Sequence, residues 1–181
     1  MQGMGGHAHA LLSNHDIKSY YIIDLDNCLG IARTYLNSVL SEDNFRKIKF
    51  IPVNKFDDEK ILDVDLAINI DSFAEMDEGV VRAYLQYISK ACRYFYVKNP
   101  VGKYLDPSLD NHSQGQEVVE MALSTGILRD VIDIDDSRSV EEQSSAFLSA
   151  YKPATGWEHI SHSHAPPWSY YWHAIYRGGD D

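Results

Sequence analysis

Glycines at positions 3, 5 and 6 precede a run of small apolar residues, Ala8, Ala10, Leu11 and Leu12. Without side chains, Gly3, Gly5 and Gly6 let the backbone turn sharply and approach another group closely, and a helix that starts there offers unpaired N–H groups. Asp24 follows after roughly 20 residues, the interval at which an acid on a strand end meets the ribose hydroxyls of a bound nucleoside. A flexible chain start, and an acid that is solvated or caps a helix, would use the same residues, so the pair gains meaning only from its setting.

A second group, Asn69, Asp71, Ser72 and Glu75, gathers at the end of an apolar run. Polar side chains at a strand end can face both a cofactor and a second substrate, although Asp71 and Ser72 would equally serve to cap the next helix. His159, His162 and His164 bring donors that suit zinc or nickel. Their spacing matches no helix-borne metal motif, and residues 165–168, with two prolines, read as an irregular surface loop. We therefore expect no metal site. His7 and His9 flank Ala8 and read as helix-surface residues.

The elements that must hold these groups follow from hydrophobic spacing. Residues 20–26 are apolar, β-branched and aromatic before ending in acids, the pattern of a strand buried in a parallel sheet. Asp24 lies nearer the strand's regular residues than Asp26, and Asn27 is placed to cap a helix. Leu29, Ala32, Tyr35, Leu36, Val39 and Leu40 give one helical face, and residues 41–44 read as its exit. A strand is expected at 48–53, with Pro52 at its end or on an edge, and another at 65–73. Val81, Tyr84, Leu85 and Ile88 then recur at i, i+3, i+4 and i+7, behind acids Glu75, Asp77 and Glu78 that suit a positive helix N-terminus.

A strand at 94–97 stops at Asn99 and Pro100. Beyond it come a loop to about residue 113, a helix at Gln116–Ser124, an apolar run at 131–134, a helix near 140–150 and an aromatic strand at 170–177. Strands and helices alternating over short connections predict an α/β fold with a parallel sheet, right-handed crossovers and helices on both faces. An aromatic strand near the C-terminus fits an antiparallel edge.

A chain of 181 residues fits one domain spanning 1–181. With 44% hydrophobic and 24% charged residues it can bury a core. Its 16 basic and 27 acidic side chains leave a net charge of -11, which repels a phosphate backbone or an anionic membrane surface, so nucleic acid is not expected as a partner. No window approaches the roughly 18 apolar residues of a membrane span, and the first residues form no secretory leader, so we expect no membrane insertion and a cytoplasmic protein. Cys28 and Cys92 belong to no paired motif and read as reduced thiols.

Taken in order, Gly3, Gly5 and Gly6, the acidic strand at 21–26, Ile51 to Val53, residues 65–76 and residues 94–100 resemble the sugar O-methyltransferase family, a branch of the class I S-adenosylmethionine-dependent methyltransferases. The resemblance spans nearly the whole chain and is closest over 3–100. It implies a Rossmann-like class I methyltransferase three-layer sandwich, a mostly parallel seven-stranded sheet with an antiparallel C-terminal edge hairpin. It also implies S-adenosylmethionine as cofactor, contacts that map to Gly3, Gly5, Gly6, Asp24, Val53, Asn54 and Asn69, and a sugar or glycan acceptor. In that family an apolar first strand precedes the glycines, whereas here only Met1 and Gln2 do. The expectation is a domain lacking its first strand, with weak or absent catalysis in the chain as written.

Methyl transfer to a hydroxyl needs an in-line approach and a base for the proton. Asp71 and Glu75 are the best-placed candidates, ahead of a loop histidine such as His112 or His162. Trp157, Trp168, Tyr170, Tyr171 and Trp172 would stack on sugar rings or fill the core. Two other readings share these features: an oxidoreductase binding NAD through the same glycines and acid, and an inactive fragment kept as a binding module.

Overall fold

β-Branched and aromatic residues make strand β1 (Tyr20–Asp24), which pairs in parallel with β2 (Ile48–Pro52) in the register Tyr20 to Ile48 through Asp24 to Pro52. This two-stranded sheet belongs to the first of two compact units, residues 1–60, the second being residues 61–181. The computed structural model describes residues 5–58, 61–104 and 115–179.

In the first unit, helix α1 (Gly6–Asn14) buries Ala8 and Leu12, and α2 (Asp26–Val39) buries Leu29, Ala32 and Leu36. The helical spacing of those apolar residues lays one side of each helix on a common core, where Ala8, Leu12, Leu36 and Ile48 meet Tyr20, Ile22, Phe45 and Phe50. Asn27 does not cap α2. The helix starts two residues earlier than an Asn27 cap would set it, at Asp26 after Leu25, with no side-chain cap, and Asn27 Oδ1 accepts the adjacent Cys28 N–H at 3.0 Å. Residues expected only to leave α2 instead form a short helix, α3 (Glu42–Arg46), since Ser41 Oγ accepts the Asn44 N–H as an N-cap. Pro52 sits at the last position of β2, where its missing donor costs no ladder bond.

The second unit holds a four-stranded sheet in the order β3-β4-β6-β5. Strand β3 (Val64–Ile70) runs parallel to β4 (Cys92–Pro100), joined through helix α4 (Glu78–Ala91). After α5 (Gln116–Ser124), α6 (Ser137–Glu142) and α7 (Ser144–Ala150), an antiparallel hairpin of β5 (Glu158–His164) and β6 (Tyr171–Arg177) closes the sheet, with β6 antiparallel to β4. One face of the sheet, carrying Phe95, Val97, Ala174 and Tyr176, packs against Val81, Leu85 and Ile88 of α4 and against Val140, Phe147 and Tyr151. Aromatic rings fill much of this core: Phe73 stacks on Tyr151 with centroids 6.2 Å apart, and Phe95 on Tyr176 at 6.3 Å. The buried Tyr176 hydroxyl donates to the Leu148 carbonyl at 2.9 Å, so its polar end is not stranded.

The antiparallel edge hairpin is present, but its first strand falls where the sequence reads as loop. All seven residues of β5 are exposed, leaving no apolar alternation to reveal it. The reverse holds at 131–134. That apolar run makes no strand and contributes only an isolated parallel bridge between Val131 and Lys103.

Candidate functional site

Strand β3 ends at Ile70, and the next residue, Asp71, turns the chain with φ 71 and ψ −37. A non-glycine residue is strained in this region by roughly 1–3 kcal/mol, and it persists only where its surroundings over-determine it. Here they do. The Asp71 N–H donates to Lys98 O at 2.8 Å, its carbonyl accepts Ala74 N–H at 3.0 Å, and its Oδ1 accepts the Tyr171 hydroxyl.

Behind the turn runs a buried amide chain. Asn99, fully buried on β4, donates from Nδ2 to Asn69 Oδ1 at 2.8 Å, and Asn69 Nδ2 donates to Ser72 Oγ at 2.7 Å. Both ends of the Asn69 amide are thereby committed to bracing the turn. Asn99 Oδ1 meets no donor among the described residues.

The turn opens into a cavity of about 800 Å³. Asp71 and Glu75 lie on one side; Tyr104, Tyr170 and Tyr171 line another; Val118, Val119, Met121 and Ala122 of α5 supply an apolar wall. The tyrosines form a continuous aromatic surface, with ring centroids 5.0 Å apart for Tyr104 and Tyr170 and again 5.0 Å for Tyr170 and Tyr171. Burial, reinforced by Tyr104 for the one and by Asp71 for both, pushes the phenols of Tyr170 and Tyr171 well above the usual tyrosine range. Tyr171 consequently stays a hydrogen-bond donor to Asp71 throughout the neutral range.

Lys103 ties the floor together. Its ammonium donates to Ala74 O at 3.0 Å and to Thr125 Oγ1 at 3.2 Å, while Thr125 Oγ1 donates to the same Ala74 carbonyl at 2.9 Å. Burial, with Arg129 adding to it and Glu75 opposing, lowers the Lys103 pKa below the ordinary lysine value. Gly126, at φ +77, donates its N–H to Met76 O at 2.7 Å, and a Cβ there would lie 3.1 Å from Ala74 O. Sequence reasoning found Asp71, Glu75, Tyr170 and Tyr171, but not Lys103, Tyr104 or the α5 wall. For Lys103 and Tyr104 a signal existed, since they follow the end of β4, where ligands of such sheets bind.

The remaining expected residues belong to the first unit. Asp24 ends β1 beside Pro52, and Val53 and Asn54 follow on the 3₁₀ turn Val53–Asp58, so these three share the carboxyl end of the two-stranded sheet. Gly5 and Gly6 open α1, with Gly5 at φ 85. A Cβ on Gly5 would come within 2.8 Å of Leu36, in the third turn of α2. Asp24 instead precedes the first turn of α2. The ten helical residues between 26 and 36 span about 15 Å, so the structure seats the glycine turn well along α2 from the acid with which the sequence reading joined it. Gly3 and His112 lie outside the described residues.

Of the histidines, His162 Nδ1 accepts the Trp172 indole N–H at 2.9 Å, and His164 Nε2 approaches Ser169 O at 2.9 Å. Among the described residues, no three His, Cys, Asp or Glu side chains are grouped to hold a metal ion, and no helix is long and apolar enough to cross a membrane.

Several solved structures resemble the chain. The pyocyanin biosynthetic protein PhzM matches with a TM-score of 0.57 and 14% identity, over 98% of this chain and 48% of its own. PigF with SAH matches at 0.55 and 14%, over 98% and 54%. An O-methyltransferase family protein from Burkholderia thailandensis matches at 0.54 and 13%, over 97% and 49%. The chain thus spans about half the length of these structures. No protein-family model matches the chain, and no curated protein does. The likeness establishes the fold: an α/β, Rossmann-like class I methyltransferase fold with a mixed sheet.

Proposed function

We propose that the chain forms part of a cytoplasmic S-adenosylmethionine-dependent O-methyltransferase that modifies a hydroxyl of a sugar or glycan. The observation that carries this reading is Asp71, a carboxylate on a strained turn at the carboxyl end of a parallel strand, fixed by Tyr171 and facing a cavity of about 800 Å³. Strain of this kind is stored where a side chain must be aimed. The fold likeness supports the cofactor, because PigF was solved with SAH.

When bound, the cofactor supplies an electrophilic methyl group on a sulfonium. Asp71 takes the proton as the acceptor oxygen attacks, which makes an otherwise poor nucleophile competent. Tyr171 holds Oδ1 and so directs the other carboxylate oxygen to that task. Glu75, on the same wall, orients a second acceptor group, while Tyr104 and Tyr170 offer ring surface to sugar C–H groups and α5 supplies an apolar wall.

In the first unit, Asp24 suits a ribose, since an ionised carboxylate only accepts hydrogen bonds and a ribose presents two donors. Val53 and Asn54 stand at the same strand ends for the base, whereas Gly5 and Gly6 lie farther along α2, so the cofactor contacts assigned to Gly3, Gly5 and Gly6 rest on the family resemblance alone. Asn69 contributes by bracing the Asp71 turn. The net charge of -11 argues against nucleic acid as acceptor.

Calorimetric titration with S-adenosylhomocysteine and, separately, with NAD tests the reading. Binding of the first alone is expected; binding of NAD alone would replace it with the oxidoreductase.

A further inference from the structure

Charge within the cavity is unevenly committed. Asp71 and Glu75 both face it, and Asp71 gives one oxygen to a neutral phenol. The cations around it are held by protein oxygens: Lys103 by Ala74 O and Thr125 Oγ1, Arg129 by Gly126 O and Glu78, and Lys98 by Pro166 O. Lys103 keeps its charge, but two of its three N–H donors are taken by neutral oxygens of the floor.

An anionic acceptor would therefore meet two carboxylates, Asp71 and Glu75, against the single ammonium of Lys103 among the described lining residues. A protonated amine would meet the reverse. Carboxylates attract it, and the rings of Tyr104, Tyr170 and Tyr171, with neighbouring centroids 5.0 Å apart, supply aromatic surface that can take a cation. A cavity of about 800 Å³ has room for a ring bearing both a hydroxyl and an ammonium.

We propose that the acceptor is a polyol carrying a protonated amine, an amino sugar in the reading above, with its hydroxyl at Asp71 and its ammonium between Glu75 and the tyrosine surface. This rests on the assignment of the cavity as the acceptor site. It excludes sugar phosphates and uronic acids, whose charge the cavity does not complement.

Glucosamine, N-acetylglucosamine and glucuronic acid, titrated into the full chain below the amine's pKa and followed by calorimetry, separate the alternatives. Glucosamine is expected to bind roughly tenfold tighter than its neutral N-acetyl analogue, in line with the strength of cation–π and carboxylate contacts at a partly desolvated site. Glucuronic acid should bind weakest. Glu75→Gln, at an exposed position that does not support the fold, should erase most of the amine preference.

Equal affinity for amine and acetamide, preference for the uronic acid, absence of binding by all three sugars, or an amine preference unchanged in Glu75→Gln would each overturn the proposal. Titration with S-adenosylhomocysteine on the same samples keeps the two readings apart. Its binding without amine preference leaves the methyltransferase standing and removes the amino sugar; amine preference without its binding does the opposite.

Discussion

The two units bury different materials and expose different chemistry. The first packs Ala8, Leu12, Leu36 and Ile48 under a two-stranded sheet and leaves its carboxylate, Asp24, at a strand end among exposed neighbours. The second packs Phe73, Phe95, Phe147, Tyr151, Trp157, Trp172 and Tyr176 behind four strands and sets its carboxylate, Asp71, against a half-open cavity walled partly by tyrosines. A two-stranded sheet with only four buried residues in its cluster gains less from burial, whereas the second unit's larger core surrounds a residue in a strained conformation. The comparison teaches that the site demanding the most accurate geometry lies in the unit with stability to spare.

Its sharpest test is at Asp71. In a version that includes the family's first strand, Asp71→Asn should lower methyl transfer by about 10²- to 10⁴-fold, the usual worth of a general base, while calorimetry shows unchanged binding of S-adenosylhomocysteine. Unaltered turnover would remove Asp71 from the chemistry and leave its strain unexplained.

Next in size are the cores. Phe147→Ala, at a fully buried position, should cost about 3–5 kcal/mol in chemical denaturation, and Leu36→Ala about 2–5 kcal/mol. All three tryptophans, Trp157, Trp168 and Trp172, lie in the second unit. Their fluorescence should therefore follow the Phe147 variant closely. The Leu36 variant should appear mainly in far-ultraviolet dichroism, and an equal shift in both signals would mean that the units unfold together.

A smaller loss is expected at the first unit's glycine. Gly5→Ala puts a Cβ on a backbone at φ 85 and within 2.8 Å of Leu36, which should cost about 1–3 kcal/mol. A thermal midpoint unchanged from the parent would show that α1 does not depend on this contact.

The smallest effect is electrostatic. Burial, and then Lys98, His162 and His164, hold the pKa of His173 below its ordinary value of 6.5. Between the folded and unfolded values the unfolded chain binds more protons, so stability rises with pH through that window and falls as pH drops below 6.5. His173 Nε2 lies 2.6 Å from Ser163 Oγ on the neighbouring strand. His173→Gln, which can keep that bond, should flatten the acid side of the stability profile; an unchanged slope would assign it to other groups.

Much of the architecture was written in local spacing. The face of Val81, Leu85 and Ile88 gave α4, Gln116–Ser124 matched α5, and the apolar runs gave β1 to β4 within a few residues. What failed depended on tertiary context. β5 has no inward face to read, because it is an exposed edge held by β6. The run at 131–134 has the composition of a strand but only Lys103 to pair with.

At the site, Asp71 was legible because a polar residue closing an apolar strand stands out. Its strain was not, since the contacts that fix it come partly from Lys98 and Tyr171, which lie far from Asp71 in sequence. Nor did spacing reveal that Gly5 would settle on Leu36, ten residues along α2 from the helix end beside Asp24.

The amide filament from Asn99 through Asn69 to Ser72 has a cost that selection for stability alone would remove. An interior carbonyl oxygen left without a donor forfeits about 1–3 kcal/mol, and leucine at both 69 and 99 would recover part of it, since leucine at 99 alone would strand Asn69 Oδ1. Such a protein should melt later and aim its aspartate less well, because the rod that stiffens the turn would be gone. Positions 69 and 99 are thus where durability and accuracy in this molecule pull in opposite directions.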